Sequence, residues 1–485
     1  MPEQFTSAKR RASTGETAGI ETCPAIDAAV RTEKTPRSAR EDDVNTGDTA
    51  WVLVSAALVM LMTPALAFFY GGMVRAKSVL NMLMLNFIAL GVVTVLWLLY
   101  GYGLAFGNDV VAGLVGGLDN VGLAGTLGAL TGPAGHQVPV LAFAMFQLMF
   151  AVITPALISG AIADRAKFWS WVIFLAVWVS LVYFPVAHWV FAFDAPDGST
   201  VGGWLANRIR TLDFAGGTAV HINAGAAGLA LALVLGRRRG WPKEPMRPHN
   251  VPLVLLGASL LWFGWYGFNA GSALAANDTA ALAFANTTVA TAAAVLGWLV
   301  TEQIRDGRPT TLGAASGAVA GLVAITPACA FVAPLGGAAI GLCAGVLCAL
   351  AVGLKYRLGF DDSLDVVGVH LVGGIVGTLL IGVFGTTAVN SAGADGLLYG
   401  GGFVQLGRQA LGAAAVLGYS FVLSLALGWI INKTIGFRVD TETEVVGIDE
   451  REHAETAYEF GGGRGTPRSV PASAGAAAVL EGGRP

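Results

Sequence analysis

Charge is scarce in this sequence. Only 13% of its 485 residues are Asp, Glu, Lys or Arg, against roughly 25% in a soluble domain, which leaves too little polar surface to clothe a water-soluble globule. A net charge of −3 and the lack of any basic tract give no reason to expect nucleic acid as a partner. Cysteine is sparse too. Cys23 lies in a polar leader, and Cys329, Cys343 and Cys348 lie in apolar segments. With no CxxC or Cys/His spacing they read as small buried hydrophobes, not as a disulfide framework or a metal site. A secretory signal is also missing. The leader is polar, mixed in charge and poor in aromatics, and its TAGIETCPAIDAAV segment is too interrupted to form an apolar core.

Apolar length is what the chain has in abundance. Hydrophobic residues make up 54%, 66 glycines sit largely within the apolar stretches, and the mean hydropathy is +0.64. Stretches long enough to cross a bilayer as helix, about 18–25 residues, run over 50–72, 79–103, 139–162, 168–192, 215–235, 251–272, 281–302, 311–330, 336–354, 364–385 and 408–432. The expected fold is therefore an all-α integral membrane protein with eleven transmembrane helices. Residues 1–48 are expected to form a disordered extracytoplasmic leader, 49–436 the transmembrane domain, and 437–485 a cytoplasmic regulatory tail, disordered after about 460. The stretch 104–138 has room for a re-entrant piece. Basic residues crowd one set of connections, among them Arg75, Lys77, Arg165, Lys167, the Arg237–Arg239 run, Arg305, Lys355 and Arg438; the other set shows only Arg208, Arg210 and Arg408. The positive-inside rule then places the N-terminus outside, the C-terminus in the cytoplasm, and the protein in the cytoplasmic membrane.

Two histidines break the apolar pattern. VHINAGAAG (Val220–Gly228) and VHLVGGIVG (Val369–Gly377) share the spacing V-H-x-x-x-G-x-x-G in the fifth and tenth stretches, and ITPA recurs at Ile153–Ala156 and Ile325–Ala328. Five helices per half forces opposite topology, so a five-plus-five inverted repeat with one extra helix is expected. Ionisable groups deep in a membrane are costly and mark pathways. Here they are Asp213 at the start of helix five, His221 within it and His370 within helix ten, with Asp361, Asp362 and Asp365 at the start of helix ten. At 1.5 Å per residue each histidine lies about 12–13 Å from the acidic start of its helix, from opposite sides, so both reach mid-membrane. A lone histidine there would more often just hydrogen-bond a carbonyl. Two at matching positions, each followed by glycines at +4 and +7, favour a functional pair. Helix three carries Phe146, Gln147 and Phe150; helix six carries LWFGWYGFNAGS, with Trp265 and Phe268 on one face and Ser272 beyond. That stripe suits ordinary packing as well as cation–π attraction of a small cation.

Several runs together are recognisable. DFAGGTAVHINAGAAG (Asp213–Gly228), MTPALAFFYGGMVRAKSVLN (Met62–Asn81), LLYGYGLAFG (Leu98–Gly107), GAIADRAKF (Gly160–Phe168), RPHN (Arg247–Asn250), GWYGFNAGSA (Gly264–Ala273), GAVAGLVAITPAC (Gly317–Cys329) and DVVGVHLVGGIVG (Asp365–Gly377) resemble the ammonium transporter (Amt/Rh/MEP) family, its prokaryotic Amt branch above all. The resemblance implies homotrimers of eleven-helix subunits, each with its own pore for ammonium or ammonia and for methylammonium as an analogue. It implies neither enzymatic activity nor a cofactor or metal. His221 and His370 match the twin histidines of the pore midpoint, Phe150 and Phe268 the stacked gate phenylalanines, and Ser272 the hydroxyl of an outer recruitment site. Asp213 matches the aspartate that orders that site and Trp265 a pore-wall tryptophan; Phe146, one turn before Phe150 on helix three, is counted among the candidate pore residues. The resemblance also has departures. Phe191 stands where a recruitment tryptophan is usual and is followed by an inserted FDAPDGSTV (193–201), and Ala65 stands where glycine is usual. VGIDEREHAETAY (Val446–Tyr458) resembles the tail segment that couples subunits and meets PII-type signalling proteins, with Ala454 in place of a common glycine.

An ion in a narrow apolar pore pays a Born-type cost of many kcal/mol, and neutral ammonia does not. The expected mechanism is thus capture of NH₄⁺ at the outer aromatic/Ser site, loss of its proton, and passage of NH₃ between the phenylalanines to the neutral histidine pair. One rival is an ammonium sensor acting through the tail on a PII-type partner. Another is a membrane metalloenzyme, which would need three or more ligands where the deep segments offer two histidines.

Overall fold

A computed structural model describes residues 43–458. Most of the expected leader, residues 1–42 with Cys23, and the tail from 459 onward lie outside the described residues. The chain is a helical multi-pass membrane protein. Its apolar helices are α1 (Thr46–Met73), α2 (Ala76–Phe106), α3 (Val140–Ile162), α4 (Phe168–Phe191), α5 (Gly217–Leu235), α6 (Val251–Gly271), α7 (Asp278–Asp306), α8 (Thr311–Ile325), α9 (Pro334–Leu358), α10 (Val367–Phe384) and α11 (Val404–Thr434). Among the described residues, ten of these are long and apolar enough to cross a membrane; α8 is shorter. It ends at Ile325, before the expected residue 330; Thr326 still has helical backbone, and Pro327 has no N–H with which to continue the hydrogen-bond ladder. Turns then carry the chain to Val332.

Small residues set how closely these helices cross. A Cβ on Gly377 in α10 would lie 2.0 Å from the Ala324 carbonyl oxygen of α8, and one on Gly341 in α9 2.0 Å from that of Ala290 in α7. Such contacts leave no side chain to give way, so glycine is the residue that permits them. The outer surfaces of α2 and α11 remain apolar and exposed, with Phe87, Val95, Leu411, Val422 and Trp429 facing outward.

The stretch after α2 contains no spanning or re-entrant helix. It folds as turns, a single 3₁₀ turn at Val121–Leu123 and a two-stranded antiparallel ribbon pairing Leu130 with Pro139 and Thr131 with Val138. Polar contacts fasten it to the start of α1: Asn45 N–H donates to the Gln137 carbonyl (2.9 Å), and His136 Nδ1 lies 2.8 Å from Asp48 Oδ2.

The basic face opposite is held by buried charge. Arg238 forks onto Asp361 with two 2.9 Å bonds and reaches Asp164 at 3.3 Å, while Arg75 meets Asp164 at 3.2 Å. Each charge is thereby met by an opposite partner within hydrogen-bond reach, the condition on which buried ions persist. The visible tail, with α12 at Thr441–Val446, docks beneath this face. Glu444 accepts from the Arg239 N–H and from Arg438, Asp449 accepts from the Leu80 and Asn81 N–H groups, and Glu452 accepts from the Phe168 N–H. Three tail carboxylates thus engage this basic face, two of them at the otherwise unpaired N-termini of α2 and α4. Ala454 adopts a left-handed backbone, φ 55°, which explains why glycine suits that position.

The helix crossings yield a test. Gly377→Ala is expected to lower the melting temperature of detergent-solubilised protein by several degrees, whereas Gly407→Ala, with open space around it, leaves it unchanged; differential scanning fluorimetry reads both.

Candidate functional site

The site is built on the first turns of α5 and α10. Both begin as π-helical turns, Gly217–Ile222 and Val367–Leu371, with the histidine in each. Wide turns of this kind accompany functional positions because they displace side chains from regular helical register. Each start is capped by an aspartate eight residues before its histidine. Asp213 accepts from the Gly216, Gly217 and Thr218 N–H groups, all at 2.7 Å, and from the Thr218 hydroxyl. Asp362 accepts from the Val366 (3.1 Å) and Val367 (2.7 Å) N–H groups. The two caps extend the repeat seen in V-H-x-x-x-G-x-x-G: of the three acids before α10, Asp362 is the counterpart of Asp213. Asp361 instead belongs to the ion cluster of the basic face.

The repeat glycines let the two helix starts meet. A Cβ on Gly225 would lie 2.5 Å from the Leu371 nitrogen, and one on Gly374 3.0 Å from the Gly217 oxygen and 3.2 Å from the His221 Cβ. Each glycine at +4 accommodates the other half's π turn. His221 and His370, 1% and 2% exposed, come together there with Nδ1 atoms 3.3 Å apart and rings 5.4 Å apart at 19°. One Nδ1 carries the shared proton and the other accepts it. His221 Nε2 has no protein partner.

The aromatic residues assemble beside them. Trp265 stacks on His221 (5.5 Å, 17°), and its Nε1 donates to the Thr326 hydroxyl at 2.8 Å. Thr326 comes from the second ITPA motif; the first supplies Thr154, whose hydroxyl donates to the Phe150 carbonyl. Phe150 and Phe268 stack at 4.2 Å and 26°. Phe146 packs edge-on against Phe150 from behind (5.0 Å, 68°). His221, His370, Trp265 and Phe268 border a narrow cavity of about 10 Å³, otherwise lined by apolar residues such as Met62, Ile153, Leu261 and Val319. That is room for roughly one water-sized molecule.

A much larger cavity, about 640 Å³, opens on the face where α1 begins. Phe191, Ser272 and Asp213 line it, with Asp194, Asn207, Arg210, Phe331, Gln405 and Arg408. Phe268 lies one helical turn from Ser272, so the stacked phenylalanines stand between the two cavities. The Ser272 hydroxyl donates to the Phe268 carbonyl at 2.8 Å, leaving oxygen lone pairs toward the cavity. That polarity suits a donor such as an N–H cation. Residues from the inserted run, above all Asp194, were not singled out by the sequence reading, since spacing gives no sign of where a loop folds back. Gln147, placed between Phe146 and Phe150 in the sequence, lines neither cavity.

Asp213 is testable as a cap. Asp213→Ala strands four buried N–H groups, those of Gly216, Gly217, Thr218 and Ala219, and is expected to cost about 3 kcal/mol or more, with Asp213→Asn losing less because one side-chain oxygen remains. Thermal melting in detergent should rank wild type above Asn above Ala.

Comparison with known proteins matches this geometry to a family. The sequence profile of the Ammonium Transporter Family matches residues 50–458. An ammonium transporter of Mycobacterium tuberculosis (strain ATCC 25618 / H37Rv) is 61% identical over 434 residues, covering 85% of this chain and 90% of that protein. Among solved structures, Saccharomyces cerevisiae Mep2 superposes with a TM-score of 0.76 at 35% identity, over 83% of this chain and 89% of that one. A structure described as a sensor Amt protein superposes with a TM-score of 0.75 at 29% identity, over 84% and 98% respectively. By the extent of the profile match and by the identity to these relatives, the chain belongs to the Ammonium Transporter Family.

Proposed function

We propose that this protein transports ammonium across the cytoplasmic membrane, with proton and ammonia separating at the stacked phenylalanines. The orientation we assign puts the large cavity outside and the basic face in the cytoplasm, with eleven crossings in which α8 and the turns after it complete the eighth. Family membership supports the substrate. The single observation that carries the mechanism is the facing imidazole pair in an otherwise apolar lumen too narrow for a hydrated ion.

The chemistry follows from the atoms. In the outer cavity NH₄⁺ meets the lone pairs of Ser272 and the ring of Phe191. Phe150 and Phe268 close the way inward, and entering the lumen as an ion would forfeit hydration worth many kcal/mol. Ammonia enters without that penalty, and the proton it gives up passes to water in the outer cavity. With both rings neutral and one proton shared between the Nδ1 atoms, the ring that donates at Nδ1 offers an acceptor at Nε2. The other ring offers an N–H there. Ammonia, both donor and acceptor, can use each in turn. Trp265, anchored by Thr326, holds the His221 ring plane. Asp213 holds the helix start, and its charge favours a cation in the mouth.

We assign a homotrimer as the assembly, with the exposed apolar faces meeting lipid or a neighbouring subunit. The docked tail is the segment through which a PII-type protein would act. A second reading, an ammonium sensor, draws on the likeness to the sensor Amt protein. A pull-down with a PII-type protein in the absence of transport would favour it.

In proteoliposomes, an ammonium or methylammonium jump is expected to evoke uptake. His221→Ala combined with His370→Ala should abolish most of the uptake or its selectivity for ammonium over potassium. If the wild-type protein is silent despite demonstrated insertion, the transport reading is wrong. If the double variant is indistinguishable from wild type, the pore assignment is wrong.

A further inference from the structure

We propose that Asp194, carried by the inserted run after Phe191, is a cation-binding residue of the outer mouth; the proposal rests on the transport reading above. The cavity that holds Ser272 and Phe191 is also lined by two guanidinium groups, Arg210 and Arg408, and by two carboxylates, Asp213 and Asp194. The carboxylates are not equivalent. Asp213 spends its oxygens on backbone N–H groups and the Thr218 hydroxyl at the start of α5. Asp194 accepts with Oδ1 from the Gly202 N–H at 2.7 Å, and its side chain is exposed. Oδ2 is the oxygen left to a ligand.

The loop that carries Asp194 is fastened at its base. Asn207 accepts from the Asp194 N–H at 3.0 Å and donates to the carbonyls of Ala192 (3.0 Å) and Gly203 (2.8 Å), while the Gly203 N–H donates to Ala192 at 2.9 Å. Val201 pairs with the loop after α2, donating to Asn108 Oδ1 at 2.8 Å and accepting from the Asp109 N–H at 2.9 Å. Asp194 is thus presented to the cavity by a closed, anchored loop.

Electrostatics gives this placement a purpose. A mouth that collects a monovalent cation works against Arg210 and Arg408. Without Asp194 only Asp213 offsets them. Phe191 is also a weaker cation–π partner than the indole usual there. A carboxylate some 6 Å from a cation in a solvated cavity attracts it by about 1 kcal/mol, roughly fivefold in affinity. The inserted run therefore supplies attraction at the place where the ring supplies less.

The test compares ammonium uptake by Asp194→Asn, Asp194→Glu and Asp197→Asn with wild type in proteoliposomes. Asparagine keeps an oxygen for the Gly202 N–H, so the loop retains its hydrogen bond. Asp194→Asn is expected to raise the half-saturating ammonium concentration about three- to tenfold at low ionic strength, with maximal uptake unchanged and the difference shrinking as salt rises. Asp194→Glu should keep the wild-type value, as should Asp197→Asn, whose side chain lies on the loop tip outside the cavity lining. An unchanged half-saturation in Asp194→Asn overturns the proposal, as does a shift that ignores salt and comes with lost maximal uptake. A wild-type protein that inserts but takes up no ammonium overturns the transport reading instead. Methylammonium binding to the solubilised proteins, measured by calorimetry, then decides Asp194 separately: equal affinity in wild type and Asp194→Asn rejects it.

Discussion

The crossing of α5 and α10 governs everything else at the centre of this protein. Two helix starts can approach until their imidazoles lie 3.3 Å apart only because Gly225 and Gly374 present no side chain where the opposing backbone passes. In a bilayer each helix start also exposes N–H groups that water cannot reach. Asp213 and Asp362 resolve that problem by the same device, a side-chain cap at the helix start, and so make the crossing tolerable as well as close. With the starts fixed, the π turns aim the histidines at each other, and Trp265 and Phe268 close over His221.

The surroundings are graded in polarity along one line. The mouth beside Ser272 mixes guanidinium, carboxylate, amide and ring. Next comes a pair of stacked phenylalanines, then a lumen whose polar atoms belong to the two histidines. On the opposite face, buried charges meet partners of opposite sign, and they tie the ends of α5 and α10 to the α3–α4 turn and to the tail. Such pairs contribute little net stability, since desolvation offsets Coulombic gain. Their role here is positional: Asp361 and Asp362, adjacent in the chain, hold the ion cluster and the α10 start respectively.

Much of this was legible before any coordinates. Spanning helices need only length and apolarity, so their existence and most of their bounds followed from composition along the chain. The histidine pair was legible because a costly residue type recurred at one spacing in both halves. Other features were hidden for definite reasons. Nothing in residues 311–330 distinguishes helix from the turns after Ile325 except Pro327, whose effect on backbone is local. The π turns leave no mark in apolar periodicity, since the residues around each histidine are apolar on all sides. Which of Asp361, Asp362 and Asp365 caps α10 depends on a few ångströms of loop path.

The sequence by itself determined that this chain is a bundle of membrane helices, that its deep ionisable groups are few, and that His221 and His370 are equivalent members of a repeat; burial cost and spacing are one-dimensional information. Tertiary structure alone decided how close the imidazoles come, which acid caps which helix, and that an inserted loop returns Asp194 to the cavity shared by Phe191 and Ser272. Those outcomes turn on contacts between segments far apart in the chain, where glycine clearance and hydrogen-bond reach operate at the scale of a single ångström.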